Sequence, residues 1–149
     1  LPFCYEFMLG DKFIRCAHAS PRSVHERILP FHPLEKQETL FENSELTTNI
    51  CGERIPDYYI YGDIHYACVK PIKGKGILVN VGSVGNPLDI PEASYCILEQ
   101  VGNSVGVQLV RVPYDKEAVL KIAKEVEMPG LEVYRKEIME CIYRGKKEK

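Results

Sequence analysis

The chain has 149 residues, 45% hydrophobic and 27% charged, with 11 glycines, 10 prolines and a formal net charge of -2. That is the composition of one ordinary domain with enough apolar material to close a core. Lysine and arginine total 19 against 21 acidic residues, so no overall positive field exists to hold nucleic acid or an anionic membrane surface, and duplex nucleic acid is not an expected partner. The longest apolar runs, such as Ile77–Val79, fall far short of the roughly 18 residues of a membrane span. No charged-then-apolar leader opens the chain, and a cytoplasmic protein is expected.

The six cysteines, Cys4, Cys16, Cys51, Cys68, Cys96 and Cys141, are scattered without a C-x-x-C pair, several within apolar runs. They read as reduced, buried thiols; a cysteine-built zinc site would draw its ligands in closely spaced pairs. The chain opens at Leu1 without an initiator methionine and runs at once into an apolar segment, which leads us to expect a piece of something longer.

In chain order, Phe13–Ala17 follows the turn signal Gly10-Asp11 and reads as a strand that delivers His18 to its end. Val24–Leu29, closed by Pro30 and Pro33, predicts a helix, and helical spacing recurs over Glu35–Asn49. Tyr58–Tyr61, aromatic and β-branched, is a second strand, with Asp63 and His65 on the loop behind it. Three strands are expected after that loop: Ile77–Val81, then Ser94–Glu99 and Val105–Val112 as a hairpin around Gly102-Asn103. Gly74–Gly76, with Lys73 and Lys75, reads as a basic hairpin tip. Lys116–Val126 is a helix capped by Asp115, with Val119, Ile122, Ala123 and Val126 on one face. A second helix, Leu131–Ile142, repeats the pattern, and the charged tail 144–149 is expected to fray. No repeat or linker divides residues 1–149, which read as a single unit.

Asp63 and His65 are separated by one residue after Gly62. In extended backbone they would point the same way, and a turn after the glycine can re-aim them towards neighbouring metals. Alone, a Gly-Asp turn and a surface histidine are the plainer reading. His18 lies among small residues that would let an ion or phosphate approach; a histidine packed under a loop is the alternative. His25 and His32 read as solvent-facing or locally packed. Arg22, just beyond His18, could pair with a substrate phosphate; an ordinary surface arginine is the alternative. Two glycines flank Ser83 in Asn80-Val81-Gly82-Ser83-Val84-Gly85-Asn86-Pro87, but the lysine and spacing of a P-loop are missing, so a structural turn is expected there.

In their order and spacing, three segments resemble the C-terminal portion of the calcineurin-like metallophosphoesterase superfamily. His18-Ala19-Ser20-Pro21 is similar to its His-Gly-Ser-Pro segment, and Gly62-Asp63-Ile64-His65 to its Gly-His-x-His segment. The third is Asn80–Asp89, followed by Ala93-Ser94-Tyr95 and Pro113-Tyr114-Asp115. The resemblance covers nearly the whole chain. It implies a mixed α/β fold belonging to a four-layer αββα sandwich, of which these residues would supply mainly the second sheet and its flanking helices.

The resemblance also implies metal ligands. His18 takes the place of a second-metal ligand and His65 that of a first-metal ligand. Asp63 stands where the superfamily has another second-metal histidine, with a shorter reach and an oxygen donor. No catalytic residue is carried over, because the superfamily's amino-terminal motifs have no counterparts here. The implied activity of the intact protein is hydrolysis of a phosphate ester by two divalent ions (Mn, Fe or Zn) that activate a water. Its substrate would be a small phosphate ester, a nucleotide or a phosphoprotein. The alternative is a non-catalytic scaffold with a degenerate site, as in the superfamily's retromer subunit. An isolated half would expose an apolar face, so a homo-oligomer is a further expectation.

Overall fold

The computed structural model describes residues 2–143; the charged tail 144–149 lies outside them. Seven strands form two sheets. The larger has five strands in the order β1 (Cys4–Leu9), β2 (Lys12–Ala17), β3 (Tyr58–Tyr61), β5 (Gly76–Asn80), β4 (Cys68–Ile72). The smaller is the hairpin of β6 (Ala93–Val101) and β7 (Ser104–Val112). β2, β3 and β5 run parallel, and β1 and β4 flank them antiparallel. A short helix α1 (Leu34–Glu38) and a 3-10 turn precede β3, and α2 (Lys116–Glu125) and α3 (Leu131–Glu140) close the chain. This is the mixed α/β architecture that was expected, a mixed sheet with a second, two-stranded sheet. None of the helices among the described residues is long and apolar enough to cross a membrane.

The centre of the molecule is β3, whose four residues are all buried. Alternation sends them to opposite faces. Tyr59 and Tyr61 join Leu78, Ile72, Leu40, Phe41 and Ile28 on one side of the sheet, while Tyr58 and Ile60 join Ile14, Val79 and Val105 on the other. Cys96, Leu98, Val107 and Leu109 of the hairpin pack against that second cluster, so the two sheets meet face to face. Each tyrosine hydroxyl donates to a backbone carbonyl, Tyr58 to Val105 at 2.9 Å, Tyr59 to Ala19 at 3.0 Å and Tyr61 to Ile28 at 3.1 Å. These buried polar tips therefore tie the sheet to the segments on either side of it.

Several expectations are corrected. Val24–Leu29 forms no helix. The Ser20 hydroxyl accepts from the amides of Arg22 and Ser23, both at 3.1 Å, and Ile28 is drawn into the core with its carbonyl on Tyr61. Side-chain and tertiary partners have taken the backbone groups a helix would need. Over 35–49 only α1 and the 3-10 turn Thr39–Phe41 are helical. Beyond them, the Thr47 hydroxyl accepts from the Ser44 amide and donates to the Ser44 carbonyl, and Arg15 takes the Glu42 carbonyl and the Asn43 side chain. β1 and β4 were not anticipated, so four strands, not three, follow the Asp63 loop. β4 contains Pro71, and as an edge strand it tolerates the missing N–H. In α2 only Ala123 is buried, while Ile122 and Val126 stay exposed, and α3 stops at Glu140. The Asp115 cap is present, its carboxylate accepting from the Ala118 amide at 2.9 Å.

A buried ion pair holds β1 and β2 to the segment that crosses behind them. Arg15 Nε donates to Glu6 at 2.5 Å, and both side chains are wholly buried. Burial alone would push the Glu6 carboxyl up, but hydrogen bonds from the Thr48 hydroxyl, the Ile50 amide and Arg15 hold it below the usual glutamate value. A carboxyl lowered on folding adds stability above its unfolded pKa and loses it as pH falls through the folded value. Glu6→Gln should therefore lose about 3 kcal/mol at pH 7, and the deficit should shrink below about pH 4. Urea unfolding of both proteins at pH 7 and pH 3 checks this.

Candidate functional site

Register decides where the site lies. Ala17, Tyr61 and Asn80 are direct neighbours across β2, β3 and β5. Three parallel strands therefore end in one row, and the loops that follow leave from the same edge, the usual ligand-binding edge of a parallel sheet. His18 leaves from the first strand, Gly62-Asp63-Ile64-His65 from the second and 81–89 from the third.

Backbone bonds lock these loops together. The Gly62 amide donates to the His18 carbonyl at 3.0 Å and the Leu88 amide to the His65 carbonyl at 2.9 Å. Asn80, fully buried, donates to the Gly62 carbonyl at 2.5 Å and accepts from the Gly82 amide at 3.0 Å. Asp63 and His65 both take positive φ, 57° and 56°, with Ile64 buried between them. The turn after Gly62 thus re-aims both side chains, with left-handed backbone concentrated at the site.

The glycine-rich run 80–87 is part of this scaffold, as its reading as a structural turn anticipated. Gly82 has φ 76°, and a Cβ there would lie 2.9 Å from Ser94 Oγ. Asp89 ends the run. It accepts from the Ala67 and Ile90 amides, each at 2.7 Å, and from both terminal nitrogens of Arg111. Burial alone would raise the Asp89 pKa, but Arg111 and the two amides together lower it.

His18, Asp63 and His65 line one cavity of about 660 Å³, together with Arg27, Phe31, Tyr66, Leu88 and the end of α3 through Tyr143. His18 Nε2 is 3.6 Å from Asp63 Oδ1. Arg27, which no local sequence signal marked, grips the same carboxylate with Nε at 3.1 Å and Nη2 at 3.3 Å, and donates from Nη1 to the Tyr143 hydroxyl at 3.1 Å. Its position follows from the irregular path of 24–29, where Ile28 is anchored in the core and the Leu29 amide donates to His32 Nδ1. Arg22 is not among the cavity's residues. Its guanidinium is bonded to Glu26, Glu42 and both oxygens of Thr39.

The metal expectation can be tested against these donors. An imidazole nitrogen and a carboxylate oxygen are donors that Mn, Fe or Zn accept. Two donors at about 2.1 Å from one tetrahedral ion lie roughly 3.4 Å apart, near the 3.6 Å separating His18 from Asp63. The pair fits as part of one ion's ligand set. No group of three or more His, Cys, Asp or Glu side chains among the described residues converges on any one position, so further ligands would have to come from outside them.

No family model matches the chain, and no curated protein is detectably similar to it. Solved structures do match. A hypothetical protein from Pyrococcus horikoshii OT3 superposes at a TM-score of 0.67 with 20% identity, covering 93% of this chain and 50% of that one. A conserved uncharacterized protein of Streptococcus pneumoniae TIGR4, described as a predicted phosphoesterase, superposes at 0.50 with 20% identity, covering 77% and 59%. The chain has the calcineurin-like metallophosphoesterase fold. It spans about half the length of the structures that share this fold with it. Vps29 of Entamoeba histolytica, complexed with Zn2+, aligns at 0.44 with 20% identity over 72% of this chain and 59% of that one, too loosely to carry ligands across.

In this metallophosphoesterase fold, Asn80 holds the site loop to the sheet. Asn80→Ala leaves the Gly82 amide without its acceptor and the Gly62 carbonyl with the Ile64 amide alone, at 2.7 Å, and stability should fall by about 2 kcal/mol. Protection of the amides at 62–65 from hydrogen exchange should drop more than that of the distant β6–β7 hairpin.

Proposed function

We propose that the chain forms one wall of a phosphate-ester site, and that the complete protein is a metal-dependent phosphoesterase. The observation that supports this most is that His18, Asp63 and His65, which come from the ends of two parallel strands, line a single cavity. In this reading His18 and Asp63 hold one divalent ion and His65 contributes to a second, with the remaining ligands supplied from outside these residues. Such ions would lower the pKa of a bound water and neutralise phosphoryl oxygens. This chain's own contribution is positional. The left-handed turns at 63 and 65 aim the donors, and Arg27 fixes the Asp63 carboxylate and places a permanent cation beside the ester.

A second reading is a non-catalytic scaffold, favoured by one specific contact. Both oxygens of Asp63 are engaged by Arg27, so the residue standing in place of a metal-binding histidine already has a counter-ion. The substrate of the complete protein, whether a small ester, a nucleotide or a phosphoprotein, belongs to the same proposal.

Turnover of 4-nitrophenyl phosphate and bound metal, both measured on the complete protein, separate the two readings. The hydrolase should lose roughly 100-fold in turnover in His65→Ala, a direct ligand being worth at least as much as an outer-shell group, and should also lose metal. Absence of both metal and His65-dependent turnover would establish the scaffold.

A further inference from the structure

The cavity that holds Asp63 has two chemically different parts. One is charged, with Arg27 bound to Asp63 and to the Tyr143 hydroxyl. A guanidinium carries five N–H donors. Three are used in these contacts, and the side chain is 47% exposed, so donors remain for an anion without breaking the bond to Asp63. The geometry matters because Asp63 holds two nitrogens of the group and thereby fixes its plane. Guanidinium donors match the paired oxygens of a phosphate.

The other part is aromatic. Phe31 lines the cavity and is 77% exposed, and Tyr66 and Tyr143 are 45% and 43% exposed. Single exposed apolar residues are normal on protein surfaces. Three aromatic side chains on one cavity, with Leu88 and Ile142 beside them, form an apolar wall of the kind that marks a ligand site. Phe31 spends little of its surface on the protein. Its one ring neighbour is His32, edge-on at 5.9 Å, which leaves the ring open to stacking.

We propose that the ligand is a phosphate ester of a planar aromatic group, nucleoside phosphates being the simplest natural class, bound with its phosphate at Arg27 and its ring against Phe31 and Tyr66. This rests on the reading that a phosphate ester occupies the cavity, and it narrows the substrate class within it. A volume of about 660 Å³ lies within the roughly 300–1,000 Å³ range of small-molecule sites. A phosphorylated polypeptide is disfavoured, because its flanking backbone N–H and C=O groups would be desolvated against the aromatic wall without partners.

The test uses phosphonates, which a phosphoesterase cannot consume, titrated calorimetrically into the complete protein. Benzylphosphonate should bind about tenfold more tightly than methylphosphonate, as expected for one stacked ring. Phe31→Ala should reduce that preference to about twofold while leaving methylphosphonate affinity unchanged, and Arg27→Gln should weaken both ligands by a similar factor. Phe31 is largely exposed, so its removal does not endanger the fold. Equal affinity of the two ligands, a preference that survives both Phe31→Ala and Tyr66→Ala, tighter binding of the phosphonate analogue of phosphoserine, or binding of none of them would overturn the proposal. An aromatic preference without His65-dependent turnover keeps this inference and removes the hydrolase. His65-dependent turnover without the preference does the reverse.

Discussion

One buried side chain sets the geometry of everything at the sheet edge. Asn80 is the last residue of β5 and directly opposes Tyr61, the last of β3. Beyond that pair the ladder gives way to loops, and their backbone groups need partners. The Asn80 amide supplies both, donating to Gly62 and accepting from Gly82. An aliphatic residue would pack there but would strand the Gly82 amide in the interior and leave the Gly62 carbonyl to the Ile64 amide alone. A carboxylate would accept from Gly82 but could donate nothing to Gly62 while ionised. The bifunctional amide fits both demands, and through it the loop carrying Asp63 is tied to the loop carrying Asp89.

Two aspartates follow from that tie, and each has an arginine, yet their surroundings give them different work. Asp89 is saturated by two backbone amides and Arg111. With both oxygens engaged, it fastens the 81–89 loop and β7 to the residues just after His65. Among the described residues Asp63 accepts only from Arg27, in addition to its approach by His18, and it lines the cavity. The same pair of residue types thus acts as a staple where the backbone closes around it and lines a cavity where the backbone leaves one open.

Much of this was legible in the chain. β3, β5 and the β6–β7 hairpin were found because Gly and Pro punctuate short runs of β-branched and aromatic residues. His18, Asp63 and His65 were singled out because the order of three loop segments resembled one superfamily, and the three line one cavity. What escaped was set by tertiary contact. β1 could be read only as an apolar opening, since its inward charge, Glu6, makes sense solely beside Arg15. The stretch 24–29 has helical spacing, and only the Ser20 hydroxyl and the buried Ile28 carbonyl show why it stays irregular. Arg27 lies 36 residues from Asp63, a separation at which no local pattern operates. Arg22, nearer to His18 in sequence, instead spends its donors on Glu26, Glu42 and Thr39.

The Arg27–Asp63 pair also accounts for how an aspartate can stand where the resemblance leads one to expect a histidine. Exchanging a neutral imidazole for a carboxylate adds one negative charge to the cavity proposed above to take a phosphate. At about 4 Å and an effective dielectric near 20, that charge would repel a phosphate oxygen by about 4 kcal/mol. Arg27 restores the balance, because a guanidinium bonded to both carboxylate oxygens makes the pair neutral overall. In that proposal its unspent donors would turn a repulsive wall into an attractive one. Asp63 and Arg27 are therefore best understood as one unit, in which the carboxylate fixes the plane of the guanidinium and the guanidinium makes the carboxylate tolerable beside a phosphate.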